Sequence, residues 1–374
     1  MYFIFCSFPD MSDNCLALFQ RMIYLNVKGN YIWLVQKNYS KKACEYLYAM
    51  QKDGVTIRII KKNSFKGLFY YYKANFIFTT HGMFEGLPLR KKQIKINLWH
   101  GMPIKNIGNL DNYNSVNLVT HYTISNGKAF DDSISKIFNI TENNIIKVGS
   151  PRNDVLFEDS DFTFKKIFDN DCETILWMPT YRQSRVGDIR TDGQFDSKKI
   201  GLFTFNEIIQ INHFLKKENI NICIKLHPMD ILNDYEDLFE FSNSLSNIKI
   251  LSADDRNLNH TNLYRALPKS VALLTDFSSI YFDYLLLLKP IGFIQPDSKK
   301  YRDSRGFIEE VFNKLEGVNI KCKEDLLFFI KQIKLDEFDE INKKKLQIAS
   351  QQFQTYDLKG KNSESLLSYL GLIE

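Results

Sequence analysis

The chain reads as a two-domain α/β protein with parallel sheets covered on both faces and a cleft between the domains, and three observations predict this. Its 374 residues exceed one ordinary core and suit two domains of roughly 150–200 residues. Short apolar runs recur with amphipathic stretches between them, the pattern of doubly buried strands alternating with helices. A turn at Gly149-Ser150-Pro151 divides that series in two.

In the first half the strands are expected at Tyr31–Val35, Thr56–Ile60, Ala74–Thr79, Ile94–Trp99, Thr120–Ile124 and Ile145–Val148. Met1 to Cys6 is apolar but lacks a basic flank and a small-residue cleavage site, so it reads as a first buried strand and not as a signal peptide. Asp13–Leu25 and Lys41–Gln51 fit the intervening helices. Asn153–Asp171 is acidic and helical in character, and Thr174–Met178 opens a second sheet continued by Ile220–Leu226, Ile248–Leu251, Val271–Thr275 and Pro290–Ile294. The loop 184–200, rich in Gly, Asp, Gln and Ser, follows Pro179-Thr180-Tyr181-Arg182 and is expected to be a mobile active-site segment. The domains are therefore drawn at 1–152 and 153–345, with 346–374 as a C-terminal helix packing back on both.

Composition excludes several classes. Hydrophobic residues make up 44% and charged residues 25%, which suits a globular chain. The longest apolar runs, such as Leu285–Leu288, fall far short of the roughly 18 residues of a bilayer-spanning helix, so a cytoplasmic location is expected. Six cysteines lie far apart with no CxxC pair, arguing against a zinc site or disulfide framework and for reduced core residues. Residues 41–105 hold thirteen Lys or Arg against three Asp or Glu, while the whole chain carries only +5. Such a basic first domain suits anionic lipid or an anionic polymer, or is simply a solvated Lys-rich face. No nucleic-acid module accompanies it, so no nucleic-acid partner is expected.

Five constellations can carry chemistry. The run Ile96–Lys105 ends an apolar strand in His100, followed by Gly101, Met102 and Pro103, and ligands of open α/β sheets bind beyond the carboxyl ends of strands. A neutral imidazole there can take a proton from an attacking hydroxyl; a lone histidine is more often structural. Ile222–Leu226 delivers His227 in the same way, and two such histidines, one per domain, would face each other across the cleft. Val271–Asp283 is a buried strand, a polar turn with Asp276, Ser278 and Ser279, then a helix. Its serines are either ordinary N-caps or phosphate ligands at a helix start, and the two readings are compatible. Gly149–Asp154 and Met178–Arg182 set Arg152, Thr180 and Arg182 near the junction, where the arginines are candidates to clamp a diphosphate bidentately. No GxGxxG, Walker loop, HExxH or paired metal-ligand pattern occurs, so neither a cofactor nor a metal is expected.

Taken in order, these segments resemble the CDP-glycerol:poly(glycerophosphate) glycerophosphotransferases, the teichoic acid and capsule polymerases. Trp99–Lys105 is similar to the family's WHGTPLK, Gly149–Asp154 to its G-x-PRND turn, and Pro179–Arg182 to its PTWR or PTYR. Leu226-His227-Pro228 resembles its LHP, and Asp276–Ser279 through Lys289-Pro290 its DYSS-to-KP helix. Arg305-Gly306-Phe307 with Tyr301 ahead of it resembles an RGF stretch, and Ser12-Asp13-Asn14 an N-terminal SDN. The resemblance covers about residues 1–320. Met102 replaces the usual Thr, Ser150 a position often Tyr, and Phe277 a Tyr, which bears on donor and acceptor identity. The long N-terminal extension of some relatives has no counterpart, so membrane attachment is expected through the catalytic domains or a partner.

The resemblance implies two Rossmann-like domains in the glycosyltransferase-B architecture. It also implies transfer of glycerol phosphate or a related alditol phosphate from CDP-glycerol or CDP-ribitol to a hydroxyl of a lipid-linked or oligomeric anionic acceptor, with release of CMP. His100 and His227 would be catalytic. Arg182, Thr180, Asp276, Ser278, Ser279 and Arg152 would hold the donor diphosphate, and Lys105 and Gly101 would lie on the acceptor side. Asp276 would either orient His227 or bind the donor's polyol. The location would be cytoplasmic and peripheral to the inner face of the membrane. A nucleotide-sugar glycosyltransferase of the same architecture and a non-catalytic polymer-binding assembly protein are the alternatives.

Overall fold

Largely buried strands build both sheets of the structure, a computed structural model describing residues 1–36, 41–111, 118–184, 190–191, 199–227, 236–253, 255–259 and 262–374. The chain forms two compact units: Met1–Met102 with Ile107–Glu158 and Gln354–Glu374, and Pro103–Asn106 with Asp159–Phe353.

The first unit carries β1 (Tyr2–Cys6), β2 (Gly29–Val35), β3 (Val55–Lys61), β4 (Phe76–Thr79), β5 (Ile94–Asn97), β6 (Tyr122–Ser125) and β7 (Ile145–Lys147). They form one sheet ordered β3-β2-β1-β4-β5-β6-β7, every pair parallel. Parallel neighbours require crossovers, supplied here by helices such as Asp13–Tyr24 and Lys128–Phe138. One face of the sheet is aromatic: Phe5 stacks on Phe78 at 5.2 Å and Trp33 at 5.3 Å, and Phe19 of the first helix meets Phe5 edge-on at 5.6 Å.

The second unit holds β8 (Glu173–Met178), two short antiparallel pairs, β9 (Gln183–Ser184) with β10 (Arg190–Thr191) and β11 (Lys199–Ile200) with β12 (Phe203–Thr204), then β13 (Ile220–Lys225), β14 (Ile248–Leu251), β15 (Ala272–Thr275), β16 (Ile291–Phe293) and β17 (Val318–Asn319). Its main sheet, β14-β13-β8-β15-β16-β17, is again wholly parallel. Counted within each unit, both sheets run 3-2-1-4-5-6, the doubly wound Rossmann order, with one added strand in the first. Ligands bind at the switch point of such sheets, which falls beyond β1 and β4 in one unit and beyond β8 and β15 in the other.

The expected strands fall within one or two residues of their places, β9 to β12 and β17 were not expected, and the segment 153–171 differs. In place of a helix there is a 3-10 turn at Pro151–Phe157 and one short helix at Lys165–Phe168. The Asp154 carboxylate accepts from Asn362 N–H and Ser363 N–H, each at 2.8 Å, and so caps the helix Asn362–Tyr369. Burial raises the Asp154 pKa to about 6, against the opposing pull of these hydrogen bonds. The chain passes from one unit to the other at Glu158–Asp159, six residues beyond the expected boundary, and the C-terminal segment is divided: the helix Glu340–Phe353 belongs to the second unit and Asn362–Tyr369 to the first. Cys6, Cys15, Cys44 and Cys223 are buried, but Cys172 is half-buried and Cys322 exposed, so the cysteines are not all core residues. Among the described residues no helix is long and apolar enough to cross a membrane.

Candidate active site

In the first unit β5 delivers His100 through a strained turn. Trp99 adopts a left-handed conformation at φ +48°, uncommon for an aromatic residue and a sign of local strain. Two asparagines hold it there. Asn97 Oδ1 accepts from Trp99 N–H at 3.0 Å, and Asn14 Nδ2 donates to the carbonyls of Leu98 at 3.0 Å and Trp99 at 2.9 Å. Gly101, at φ +138°, continues a path that suits glycine. The result is an exposed His100 whose ring lies 4.0 Å from that of Trp99.

His100 Nδ1 sits 3.0 Å from the Thr80 carbonyl oxygen beyond β4. A carbonyl can only accept, so Nδ1 carries the hydrogen and Nε2 of the neutral ring is the proton-accepting atom. This is the tautomer a general base needs.

Arg152 has a different place from the expected diphosphate clamp. It is buried, its Nη1 donates to Asp13 Oδ1 at 2.6 Å and to the His100 carbonyl at 3.0 Å, and its N–H donates to Asn14 Oδ1 at 3.1 Å. The Ser12-Asp13-Asn14 and Gly149–Asp154 motifs thus converge on the backbone of the His100 turn, with Arg152 positioning it.

Sequence reasoning missed His81, at the carboxyl end of β4 beside Thr80. Neither of its ring nitrogens has a hydrogen-bond partner among the described residues. Burial, with help from the nearby Lys62, His100 and Lys95, pushes its pKa down to about 3, so the ring is neutral. The loop after it is braced from below, where buried Lys95 Nζ donates to the Met83 carbonyl and to Glu85 Oε1, each at 2.9 Å.

The second unit is built around a buried ion-pair network. Asp276, just past β15, accepts at Oδ1 from Thr180 N–H at 2.9 Å, from the Thr180 hydroxyl and from Phe277 N–H at 2.6 Å, and at Oδ2 from Arg182 Nη2 at 2.8 Å. Arg182 also donates through Nε and Nη2 to the two oxygens of Asp297, both at 2.9 Å, and through Nη1 to the Thr180 carbonyl at 2.9 Å. Burial alone would lower the Arg182 pKa; the charges and hydrogen bonds of Asp276 and Asp297 more than offset it and hold the guanidinium charged.

Arg182 is therefore ion-paired to two carboxylates within the protein, a setting that the expected diphosphate clamp did not foresee. Asp276 binds Thr180, Arg182 and the Phe277 N–H, and none of these contacts is with His227. Asp297, absent from the sequence-based candidates, is their shared counter-charge. Its signal was a Pro-Asp pair just past the strand Ile291–Phe293.

His227 lies two residues past β13, half-buried, its ring 4.8 Å from that of Tyr181. Ser278 and Ser279 precede the six-residue helix Ile280–Leu285. Ser279 is helical in backbone and makes no side-chain cap, so the N-cap reading does not hold, and both half-buried hydroxyls lack a hydrogen-bond partner among the described residues. Lys105 travels with the second unit and not with the turn of His100. A cavity of about 210 Å³ opens at this end of the sheet, its walls including Trp177, Ile200, Leu226 and Ile294 and its polar side Arg182, Asp276 and Asp297. Of the expected loop 184–200, residues 185–189 and 192–198 lie outside the described residues, as does Pro228 of the Leu-His-Pro motif.

Two doubly wound parallel sheets, each with polar side chains gathered beyond its strand ends, define a Rossmann-like enzyme of two units. The chain belongs to the CDP-glycerol:poly(glycerophosphate) glycerophosphotransferase family, whose model matches residues 2–371. It is 24% identical over 340 residues to a teichoic acid poly(glycerol phosphate) polymerase of Bacillus spizizenii, covering 82% of this chain and 79% of that protein. To the corresponding polymerase of Bacillus subtilis strain 168 it is 25% identical over 368 residues, 90% of this chain but 44% of that protein. A Bacillus subtilis teichoic acid glycerol-phosphate primase is 27% identical over 239 residues, 63% of this chain and 53% of its own length. The chain thus spans only about half of the latter two. Among solved structures, the wall teichoic acid polymerase TagF superimposes with a TM-score of 0.72 at 20% identity, covering 99% of this chain and 89% of that one. A UDP-N-acetylglucosamine 2-epimerase from Neisseria meningitidis shares the fold at a TM-score of 0.54 and 12% identity.

Proposed function

We propose that the protein transfers an alditol phosphate, glycerol phosphate or ribitol phosphate, from a CDP-activated donor to a hydroxyl of a growing anionic polymer. The observation carrying the catalytic part of this reading is the Nδ1 hydrogen bond of His100 to the Thr80 carbonyl, 3.0 Å, which presents Nε2 as a base on an exposed ring. In the proposed step the acceptor oxygen bonds to the donor phosphorus that bears the alditol as its proton passes to His100 Nε2. The bond from that phosphorus to the oxygen bridging to CMP breaks, and CMP leaves with the electron pair. Phosphoryl transfer depends chiefly on positioning and charge stabilisation.

The donor is assigned to the second unit. The cavity there has apolar walls suited to a nucleoside, and the Ser278 and Ser279 hydroxyls, unused by the fold among the described residues, together with His227, are assigned to the diphosphate. Arg182, Asp276, Asp297 and Thr180 fix the loops that present these groups. The reading needs no metal, because hydroxyls, imidazole and lysine serve as phosphate ligands, and EDTA is expected to leave turnover unchanged.

The acceptor is taken to be lipid-linked or oligomeric and the enzyme peripheral to a membrane. In support, the helix Phe65–Lys73 exposes Phe65 (94%) and Phe69 (57%) beside exposed Lys66 and Lys73, and exposed Arg90 reaches the Ala74 carbonyl at its end at 3.1 Å. An apolar and cationic helix face suits an anionic bilayer surface. Salt-sensitive binding to phosphatidylglycerol vesicles, weakened in Phe65→Ser/Phe69→Ser, is the corresponding measurement. The same surface would serve polymers of teichoic acid or of a capsule.

The function is tested by incubating the protein with CDP-glycerol, CDP-ribitol and UDP-sugars plus a short poly(glycerol phosphate) acceptor and weighing the products. Acceptor extended by an alditol phosphate is expected; turnover of UDP-sugars alone would favour a glycosyltransferase, and binding without turnover an assembly protein.

A further inference from the structure

The segment Pro103–Asn106 follows the His100 turn in sequence but packs with the second unit. Its backbone is fastened there on both sides of Lys105: Ile308 N–H donates to the Ile104 carbonyl at 2.9 Å, Asn106 N–H donates to the Gly306 carbonyl at 3.2 Å, and Lys105 pairs with Phe307 in an antiparallel bridge. Gly306 sits at φ +77°, and a Cβ there would come within 2.4 Å of Asn106 Nδ2, so a larger residue would disturb the docking.

The bridge sets Lys105 Nζ against two ring faces, 5.5 Å from the Tyr181 centroid and 5.8 Å from that of Tyr301. Tyr181 is the ring that meets His227 at 4.8 Å, and Tyr301 the ring that faces Arg182 Cζ at 5.0 Å. A continuous series of side chains therefore runs from His227 through Tyr181, Lys105 and Tyr301 to Arg182, along the end of the sheet where β8, β13 and β15 finish.

The two arginines that sequence reasoning offered to a diphosphate are both engaged with carboxylates, Arg152 by Asp13 and Arg182 by Asp276 and Asp297. Neither can turn to a ligand without stranding a buried acid. A donor of the proposed class brings two phosphates to this end of the second unit, and a compact ammonium on a flexible stem is a common phosphate ligand. We propose that Lys105 is a ligand of the donor's diphosphate, held for it by Tyr181 and Tyr301, and not an acceptor-side residue as its place in the His100 motif suggests. This rests on the proposed function above, and it names the residue through which the first unit's motif contributes to the second unit's ligand.

The test compares wild-type protein with Lys105→Met, Lys105→Gln and Lys105→Arg, the spread of substitutions guarding against one that fails to fold, with thermal melting as the folding control. CDP binding is measured by calorimetry, and KM separately for CDP-glycerol and for a short poly(glycerol phosphate). Loss of a charge-assisted hydrogen bond predicts CDP binding and donor KM weakened about tenfold or more in Lys105→Met and Lys105→Gln, acceptor KM changed less than about twofold, and partial recovery in Lys105→Arg. Wild-type CDP binding in these variants overturns the assignment, as does a rise in acceptor KM with donor KM unchanged. Failure of the wild type itself to bind CDP would overturn the functional reading and this assignment together.

Discussion

The two units share a strand order yet use their strand ends differently. In the first, the candidate base is exposed and its turn is held by neutral donors to backbone carbonyls, Asn14 to Leu98 and Trp99, and by Arg152 to His100. In the second, charged side chains meet each other below the surface, Arg182 between Asp276 and Asp297. Conspicuous charges near a switch point thus need not be ligands. One unit spends its polar groups on aiming a single imidazole, the other on stiffening the loops around a cavity.

The comparison is most exposed at Arg182. Arg182→Leu strands two buried carboxylates and is expected to destabilise the second unit by about 3–5 kcal/mol, read as a shift in denaturant midpoint. A variant as stable as wild type but deficient in CDP binding would restore the clamp reading.

Acid sharpens the contrast from the other side. His81 has its folded-state pKa pushed down to about 3 by burial and nearby cations, from an ordinary 6.5. Below pH 6.5 the unfolded chain takes a proton that the folded one refuses, so this contribution to stability is present above 6.5 and lost as pH falls toward 3, by about 1.4 kcal/mol per pH unit. His81→Phe should accordingly lose about 3 kcal/mol less than wild type between pH 7 and 4.5 in denaturant melts. Asp154, raised to about 6 chiefly by burial, has the opposite slope, its contribution fading as pH rises from about 4 to 6.

Asn14→Ala removes two donors from the Trp99 turn and is expected to cost about 1–3 kcal/mol of stability and to lower kcat with donor binding intact. The smallest effect is expected at Ser279, which caps nothing with its side chain: Ser279→Ala should stay within about 0.5 kcal/mol of wild-type stability while weakening CDP binding. A larger stability loss would return that serine to a structural role.

Much of this was legible in the sequence because buried strands are written as short runs rich in apolar residues, and a histidine just past such a run emerges at a strand end. His100 and His227 were found that way. The fate of the arginines was not legible, since Asp13 and Asp297 lie 139 and 115 residues from their partners, and pairing over such separations is decided by the fold. Lys105 was misplaced for a related reason: neighbours in one motif were assumed to share a unit, whereas the backbone pairing of Ile104 and Asn106 with the segment around Gly306 and Phe307 moves it to the other. The segment 153–171 has helical composition but follows Pro151, and Asp154 serves as a cap for a helix 208 residues away. His81 carried no strand-end contrast beyond its neighbours Thr79 and Thr80, and nothing local announced that it would be buried.

The most direct measurement of the central claim is single-turnover CMP release from CDP-glycerol with a short poly(glycerol phosphate) acceptor, comparing wild type with His100→Ala at matched CDP binding. A general base contributes about 10²–10⁴-fold, so the variant is expected to slow by that factor while binding CDP normally. Near-wild-type CMP release by a folded His100→Ala protein would contradict the account.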